Sequence, residues 1–218
     1  MIEENVKAIL EELKAGNCFG EPVTLVAATK TRSADEINRA IKAGVGHIGE
    51  NRVQEFTAKY ESVQGASRHF IGRLQTNKVK YLIGKTFLIH SVDRDSLAET
   101  VASLSARAGV TSDILLEINL GEESKGGYPL DEALTAYERL RDRTGICIRG
   151  FMAMLPLGAS EREAGLLCDE MRALFDEARA RDENIEYLSM GMSGDWRLCI
   201  GHGSNMIRLG TSIFGERN

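Results

Sequence analysis

The sequence predicts an α/β protein built as a single (β/α)8 barrel of the TIM type. Strand-like runs alternate with amphipathic helices along the chain, the runs number eight, and little chain is left for anything else. Period-two or β-branched runs predict strands over Thr24–Lys30, His47–Asn51, His69–Leu74, Phe87–Asp93, Asp113–Leu120, Cys147–Met154, Tyr187–Ser193 and Met206–Phe214. Strict alternation favours a parallel sheet, and eight units favour closure over an open doubly wound sheet. Such barrels commonly take about 250 residues. With 218 the loops must be short, and we expect one domain over 1–218 with no linker or internal repeat.

Each element has a local reason. Ile2, Val6, Ile9, Leu10 and Leu13 form an apolar stripe at helical spacing ahead of the first strand. Ser33-x-x-Glu36 is a capping box, in which the two side chains satisfy each other's free backbone N–H groups, so a helix follows that strand. Gly44, Gly109 and Gly145 suit helix ends. Gly44–Gly49 matches G-x-G-x-x-G, but it stands between a helix and the next strand, whereas a dinucleotide fingerprint needs the strand first, and we reject it. Ser160-x-x-Glu163 opens another helix, with Leu167, Met171, Leu174, Phe175 and Ala178 on one face. Glu122–Gly127 resembles a phosphate loop only loosely and reads as a mobile loop over the barrel mouth.

Composition narrows the function classes. With 43% hydrophobic and 27% charged residues the chain reads as globular, not disordered. A net charge of −5 provides no general basic surface for nucleic acid. No apolar run approaches the roughly 20 residues that span a bilayer, and Met1–Lys7 lacks the pattern of a secretion signal, so a cytoplasmic protein without membrane contact is expected. Cys18, Cys147, Cys168 and Cys199 show no C-x-x-C spacing and read as small buried hydrophobes. His47, His69, His90 and His202 are scattered, without metal-ligand spacing; they read as structural, and no metal is assigned.

Barrel sites lie at the carboxyl ends of strands, so function should follow strands. The residues expected there are Lys30, Glu50-Asn51, Gln75-Asn77, Ser91-Asp93, Asn119, Met152-Met154, Ser193-Gly194 and Gly210-Thr211. Lys30 ends the apolar run from Val23, where desolvation would lower its pKa and expose a nucleophilic amine suited to Schiff-base formation. On spacing alone the plainer reading, a first solvated residue after a strand, stands beside it. Met190–Asp195 follows the seventh strand with two glycines and a hydroxyl, a turn able to present N–H groups to an anion, and Gly210-Thr211 supplies a matching pair on the eighth. Tight turns and β propensity would also explain these residues. Arg208 alternates onto the same face as Gly210 and needs an acceptor, either a ligand atom or a carboxylate such as Glu50 or Glu117.

At these residues the chain resembles the pyridoxal phosphate homeostasis protein family. The carriers are Ala27–Lys30, Gly49–Glu55, His69–Lys78, Arg149–Met152, Leu188–Asp195 and Ile207–Gly215, six blocks in order over nearly the whole chain. Thr29 stands where many members have serine, and Arg52 where many have an aromatic residue. The resemblance implies a fold like the barrel domain of alanine racemase, without that enzyme's second β domain. It also implies pyridoxal 5′-phosphate (PLP) held as a Schiff base on Lys30, with Ser193, Gly194, Gly210 and Thr211 on the phosphate. Arg208 would face the ring nitrogen, Asn51 would lie beside the ring, and Met192 would line the pocket.

The resemblance implies a regulator of intracellular PLP (vitamin B6) balance without catalytic turnover. The alternative is a single-domain amino-acid racemase or Schiff-base lyase. An always-charged arginine at the ring nitrogen would disfavour ring protonation and so favour holding the cofactor over using it. Alanine racemase uses a tyrosine from its β domain as second base, whereas Tyr60, Tyr81, Tyr128, Tyr137 and Tyr187 here mostly fall in helix patterns and read as packing residues. The expected partners are the cofactor and, transiently, PLP-dependent apo-enzymes; a monomer is expected, with a dimer as the alternative.

Overall fold

A computed structural model describes residues 1–122 and 125–216. Eight parallel strands close into a barrel: β1 (Thr24–Ala28), β2 (His47–Glu50), β3 (Ser67–Phe70), β4 (Leu88–Val92), β5 (Ser112–Asn119), β6 (Ile146–Ala153), β7 (Tyr187–Ser189) and β8 (Met206–Leu209). Each pairs with its neighbours in chain order, β8 pairs with β1, and pairing of β4 with β5 completes the ring. A two-residue strand, Tyr128–Pro129, adds to the outer part of β5.

The helices are α1 (Ile2–Leu13), α2 (Ala34–Lys42), α3 (Val53–Lys59), α4 (Asp95–Arg107), α5 (Ala133–Leu140), α6 (Glu161–Arg179), α7 (Trp196–Gly201) and α8 (Thr211–Phe214). A 3-10 turn, Thr76–Tyr81, replaces a helix after β3. Both capping boxes form, at the starts of α2 and α6. On α1 the buried face is Ile2, Val6, Ile9 and Leu13; on α6 it includes Met171, Leu174, Phe175 and Ala178. Each large apolar side chain of this kind contributes about 1.5–3 kcal/mol when fully buried.

Strand alternation sorts the core into two shells. Leu25, Ala27, Ile207 and Leu209 point outward and pack with Val6, Ile9 and Ile37 from α1 and α2. Val26, Leu88, Leu115, Met152 and Met206 face inward as a small cluster plugging the barrel. By two-residue alternation, Val26 shares its face with Ala28 and Met206 with Arg208, so the side chains above the plug line the carboxyl-terminal mouth.

Three expected strands end four or five residues early. β3 stops at Phe70, four residues before Leu74. β7 stops at Ser189, because Gly191 turns the chain at φ 106° in a place where a Cβ would lie 2.9 Å from Trp196 Cα. β8 stops at Leu209, and Thr211–Phe214, expected as strand, is helical with Ile213 and Phe214 buried on the outer shell. Gly210 therefore caps and Thr211 opens the short helix α8 after β8, neither being on the strand. The expected mobile loop at Glu122–Gly127 includes Glu123 and Ser124, which lie outside the described residues. On either side of them, Asn119 Nδ2 donates to the carbonyls of Glu122 and Lys125, both at 2.9 Å.

Candidate functional site

The turns at the carboxyl ends of β1, β2, β3, β6, β7 and β8 enclose a cleft of about 330 Å³ lined by Ala28, Lys30, Arg32, Asn51, Ile71, Met154, Met192, Ser193, Gly194, Arg208, Gly210 and Thr211. All eight residues expected on sequence grounds to hold a ligand, Lys30, Asn51, Met192, Ser193, Gly194, Arg208, Gly210 and Thr211, are in this set. Arg32 and Ile71 were not anticipated. Among the described residues the lining has three cations, Lys30, Arg32 and Arg208, and no carboxylate.

Local structure explains how each is presented. Lys30 follows Thr29, whose buried hydroxyl donates 2.7 Å to Glu50 Oε1 and whose N–H donates 2.9 Å to the Gly49 carbonyl. Asn51 is held from behind by Gly72, where any Cβ would come within 2.1 Å of the Asn51 carbonyl oxygen. That close approach requires glycine and explains the His69-Phe70-Ile71-Gly72 block. The two turns on the far side are bonded together, Ser212 N–H donating 3.2 Å to Ser193 Oγ. Asp195 closes the first of them by accepting from the Met192 N–H at 2.5 Å.

Arg208 is fully enclosed and burial pushes its pKa down from the usual value. Its acceptors are the Ser189 carbonyl (2.8 Å), the Ser189 hydroxyl (2.7 Å) and the Ala153 carbonyl (3.0 Å). Neither Glu50 nor Glu117, the carboxylates considered from sequence, is a hydrogen-bond partner of Arg208 among the described residues. Three of its five donors are engaged, and guanidinium can only donate. Glu50 turns outward beneath the mouth, where Lys59 Nζ donates to it at 2.8 Å. Burial raises its pKa even so. Glu117 is buried inside the barrel, and burial together with the nearby charge of Asp93 lifts its pKa to about 7.

Of the other strand-end candidates Met154 lines this cleft, and the rest separate from it. Gln75, Thr76, Asn77 and Asp93 line a second, more open depression with Arg73, Arg94, Gly126 and Gly127. Ser91 is buried, and Asn119 is committed to its own loop. None of the five tyrosines lines the cleft. Tyr128 and Tyr137 are buried, donating to Asp95 and Asp182, and Tyr187 lies on β7, not on a helix. Three histidines are structural partners of one another: His47 Nδ1 lies 3.0 Å from His69 Nε2, and His69 Nδ1 2.8 Å from His90 Nε2. Cys168 and Cys199 are buried as expected, whereas Cys18 is exposed and Cys147 half-buried. Among the described residues no helix is long and apolar enough to cross a membrane, and no three His, Cys, Asp or Glu side chains gather as metal ligands.

Comparison with known proteins bears on fold and family. The family model described as alanine racemase, N-terminal domain, matches residues 2–218. A pyridoxal phosphate homeostasis protein of Aquifex aeolicus (strain VF5) is 37% identical over 222 residues, taking in 100% of this chain and 95% of that one. The structure of PipY of Synechococcus elongatus PCC7942, with PLP bound, is 32% identical with a TM-score of 0.86, covering 99% of this chain and 100% of that one. Alanine racemase of Clostridium difficile 630, in complex with cycloserine, is 16% identical with a TM-score of 0.72 over 98% of this chain and 58% of its own; it shares the fold. With an alanine-racemase-type barrel matched from end to end and full-length relatives above 30% identity, the chain belongs to the pyridoxal phosphate homeostasis protein family.

Proposed function

We propose that this chain, acting as one barrel domain over 1–218, binds pyridoxal 5′-phosphate and serves PLP homeostasis in the cytoplasm by holding the cofactor and releasing it to apo-enzymes. The observation that carries the reading is the cleft lining: a lysine and two arginines, opposite two cross-bonded turns, suit a ligand with an aldehyde at one end and a phosphate at the other. The volume is in the range of small-molecule sites. Asn51 Oδ1 is buried without a hydrogen-bond partner among the described residues, an acceptor that a ligand donor would satisfy.

In this reading Lys30 would hold the cofactor through its aldehyde, as a Schiff base. Ser193, Gly194, Gly210 and Thr211 would hold the phosphate, Arg208 would face the ring nitrogen, Asn51 would lie beside the ring and Met192 would line the pocket. When bound, the cofactor supplies an electrophilic carbon and a ring able to accept electrons. The chain's own groups favour holding over turnover. Arg208 is a very weak acid that keeps its protons at working pH, so it donates hydrogen bonds without giving a proton up, and no tyrosine lines the cleft to serve as a second base.

Borohydride reduction of the loaded protein followed by peptide mapping tests the site. The label is expected on Lys30, and Lys30→Ala is expected to lose the bound chromophore; label on Lys78 or Lys125 instead would overturn the assignment. Turnover is tested by incubation with D- and L-amino acids in deuterated water. The α-proton is expected to exchange no faster than with free cofactor, and faster exchange would favour a racemase or lyase.

A further inference from the structure

Thr31, the residue after Lys30, has φ 64°, and among the described residues it is the one non-glycine with positive φ. A β-branched side chain is strongly disfavoured there, so the conformation persists only where its surroundings enforce it. The enforcement is visible. The Thr31 N–H donates 2.7 Å to Glu55 Oε2 from the first turn of α3. Lys59, one turn further on, donates to that same oxygen at 2.9 Å, to Glu50 Oε1 at 2.8 Å and to the Thr29 carbonyl at 2.9 Å. Three acceptors use all three ammonium donors. Thr29 in turn donates to Glu50, so both neighbours of Lys30 in the chain are tied to one charged cluster on the outer side of the turn. Lys30 itself lines the cleft.

From this geometry we infer that Glu55, braced by Lys59, is a positioning residue: it holds Thr31 in the left-handed region and thereby aims Lys30 into the cleft. Neither Glu55 nor Lys59 lines the cleft, so both act on the amine through the backbone. Without the Glu55 acceptor, Thr31 relaxes toward negative φ and turns the Lys30 side chain away from the phosphate-facing turns. A residue content with positive φ removes the need for the clamp, which gives the inference a signature that a general loss of stability lacks. Glycine is that residue.

The inference rests on Lys30 being the cofactor amine, so the two are tested separately. Borohydride labelling of the wild-type loaded protein tests the amine. PLP titration of Glu55→Ala then tests the clamp: the dissociation constant is expected to weaken by about tenfold to a hundredfold, the range set by releasing one strained backbone conformation. Thr31→Gly placed in the same chain is expected to restore it to within about threefold of wild type. Wild-type affinity in Glu55→Ala, or a double variant as weak as the single one, overturns the clamp while leaving the labelling result untouched. Should Glu55→Ala not fold, Glu55→Asp draws the carboxylate back by one methylene, and the same loss and the same rescue are expected on a smaller scale. In the cofactor-free protein the Thr31 amide should exchange with solvent about tenfold faster once Glu55 is truncated, and an unchanged rate overturns the clamp whatever Lys30 binds.

Discussion

Arg208 Nη1 donates to both oxygens of Ser189, and the hydroxyl it shares lies 3.2 Å from His90 Nδ1. The guanidinium in the cleft is therefore the end of a line of side chains, Ser189, His90, His69 and His47, strung along hydrogen bonds across four strands. Ser189→Ala removes the hydroxyl that both Arg208 and His90 use. Leaving such buried groups short of a partner costs about 1–3 kcal/mol, which urea denaturation will read. PLP affinity should fall by several-fold in the same variant, because Arg208 loses one of its anchors.

The histidines make stability sensitive to acid. Burial holds His69 near a pKa of about 3, and burial, with His69 and Arg208 beside it, holds His90 well below the usual imidazole value. Both are neutral when folded and bind protons more readily once unfolded. Their contribution is thus fully present above the unfolded value near 6.5 and is lost as pH falls toward the folded values. Between about pH 6 and 4 these two histidines should contribute a fall in stability with a slope approaching two protons per molecule, partly offset by Glu117 and read by urea titration at each pH as the difference from a variant lacking them. Replacing His69 and His90 by Gln should flatten that slope even where it lowers absolute stability.

Glu117 has the opposite sign. Its folded pKa of about 7 exceeds the unfolded carboxylate value, so the folded state binds the extra proton and stability falls as pH rises from about 4.5 to 7. Glu117→Gln should therefore stabilise the protein at pH 8 by about 2–3 kcal/mol and change little at pH 4. Equal effects at the two pH values would mean that Glu117 is ionised normally in the folded chain.

Gly72→Ala tests the support behind Asn51. The added methyl group would meet the Asn51 backbone, which cannot yield as a side-chain tip can. Overpacking of this kind costs about 1–3 kcal/mol, and the displaced Asn51 should weaken PLP binding beyond what the stability loss explains. Thermal denaturation and a PLP titration on the same preparation separate the two.

Much of this architecture is legible locally. Ser33 and Ser160 announce the helices they cap, and the stripe from Ile2 to Leu13 announces the face it buries. Lys30 after an apolar strand and the glycine-rich turns near 191 and 210 mark one end of a barrel as the place to look. The errors have local causes too. Thr211–Phe214 is β-branched and apolar enough to read as strand, and a run that short carries no period able to separate a strand from one buried helical turn. Glu55 and Lys59 are spaced like any i, i+4 surface pair on a helix, and only Thr31's conformation shows what they hold.

The histidines mark where local reading stops. His47, His69 and His90 stand 22 and 21 residues apart, and nothing nearby in the chain says that they touch. They meet because β2, β3 and β4 pair in register and turn the same face inward.

By itself the sequence determined most of the strands and helices though not where each ends, the parallel order that follows, and which reactive groups stand near strand ends, since these depend on periodicity and on neighbours a few residues away. Only the tertiary structure decided that β4 meets β5, that Lys30 faces turns more than 160 residues further along the chain, and that Arg208 rests on Ser189, not on a carboxylate. Those relations depend on the register in which eight strands close on one another, and no short stretch of chain carries that information.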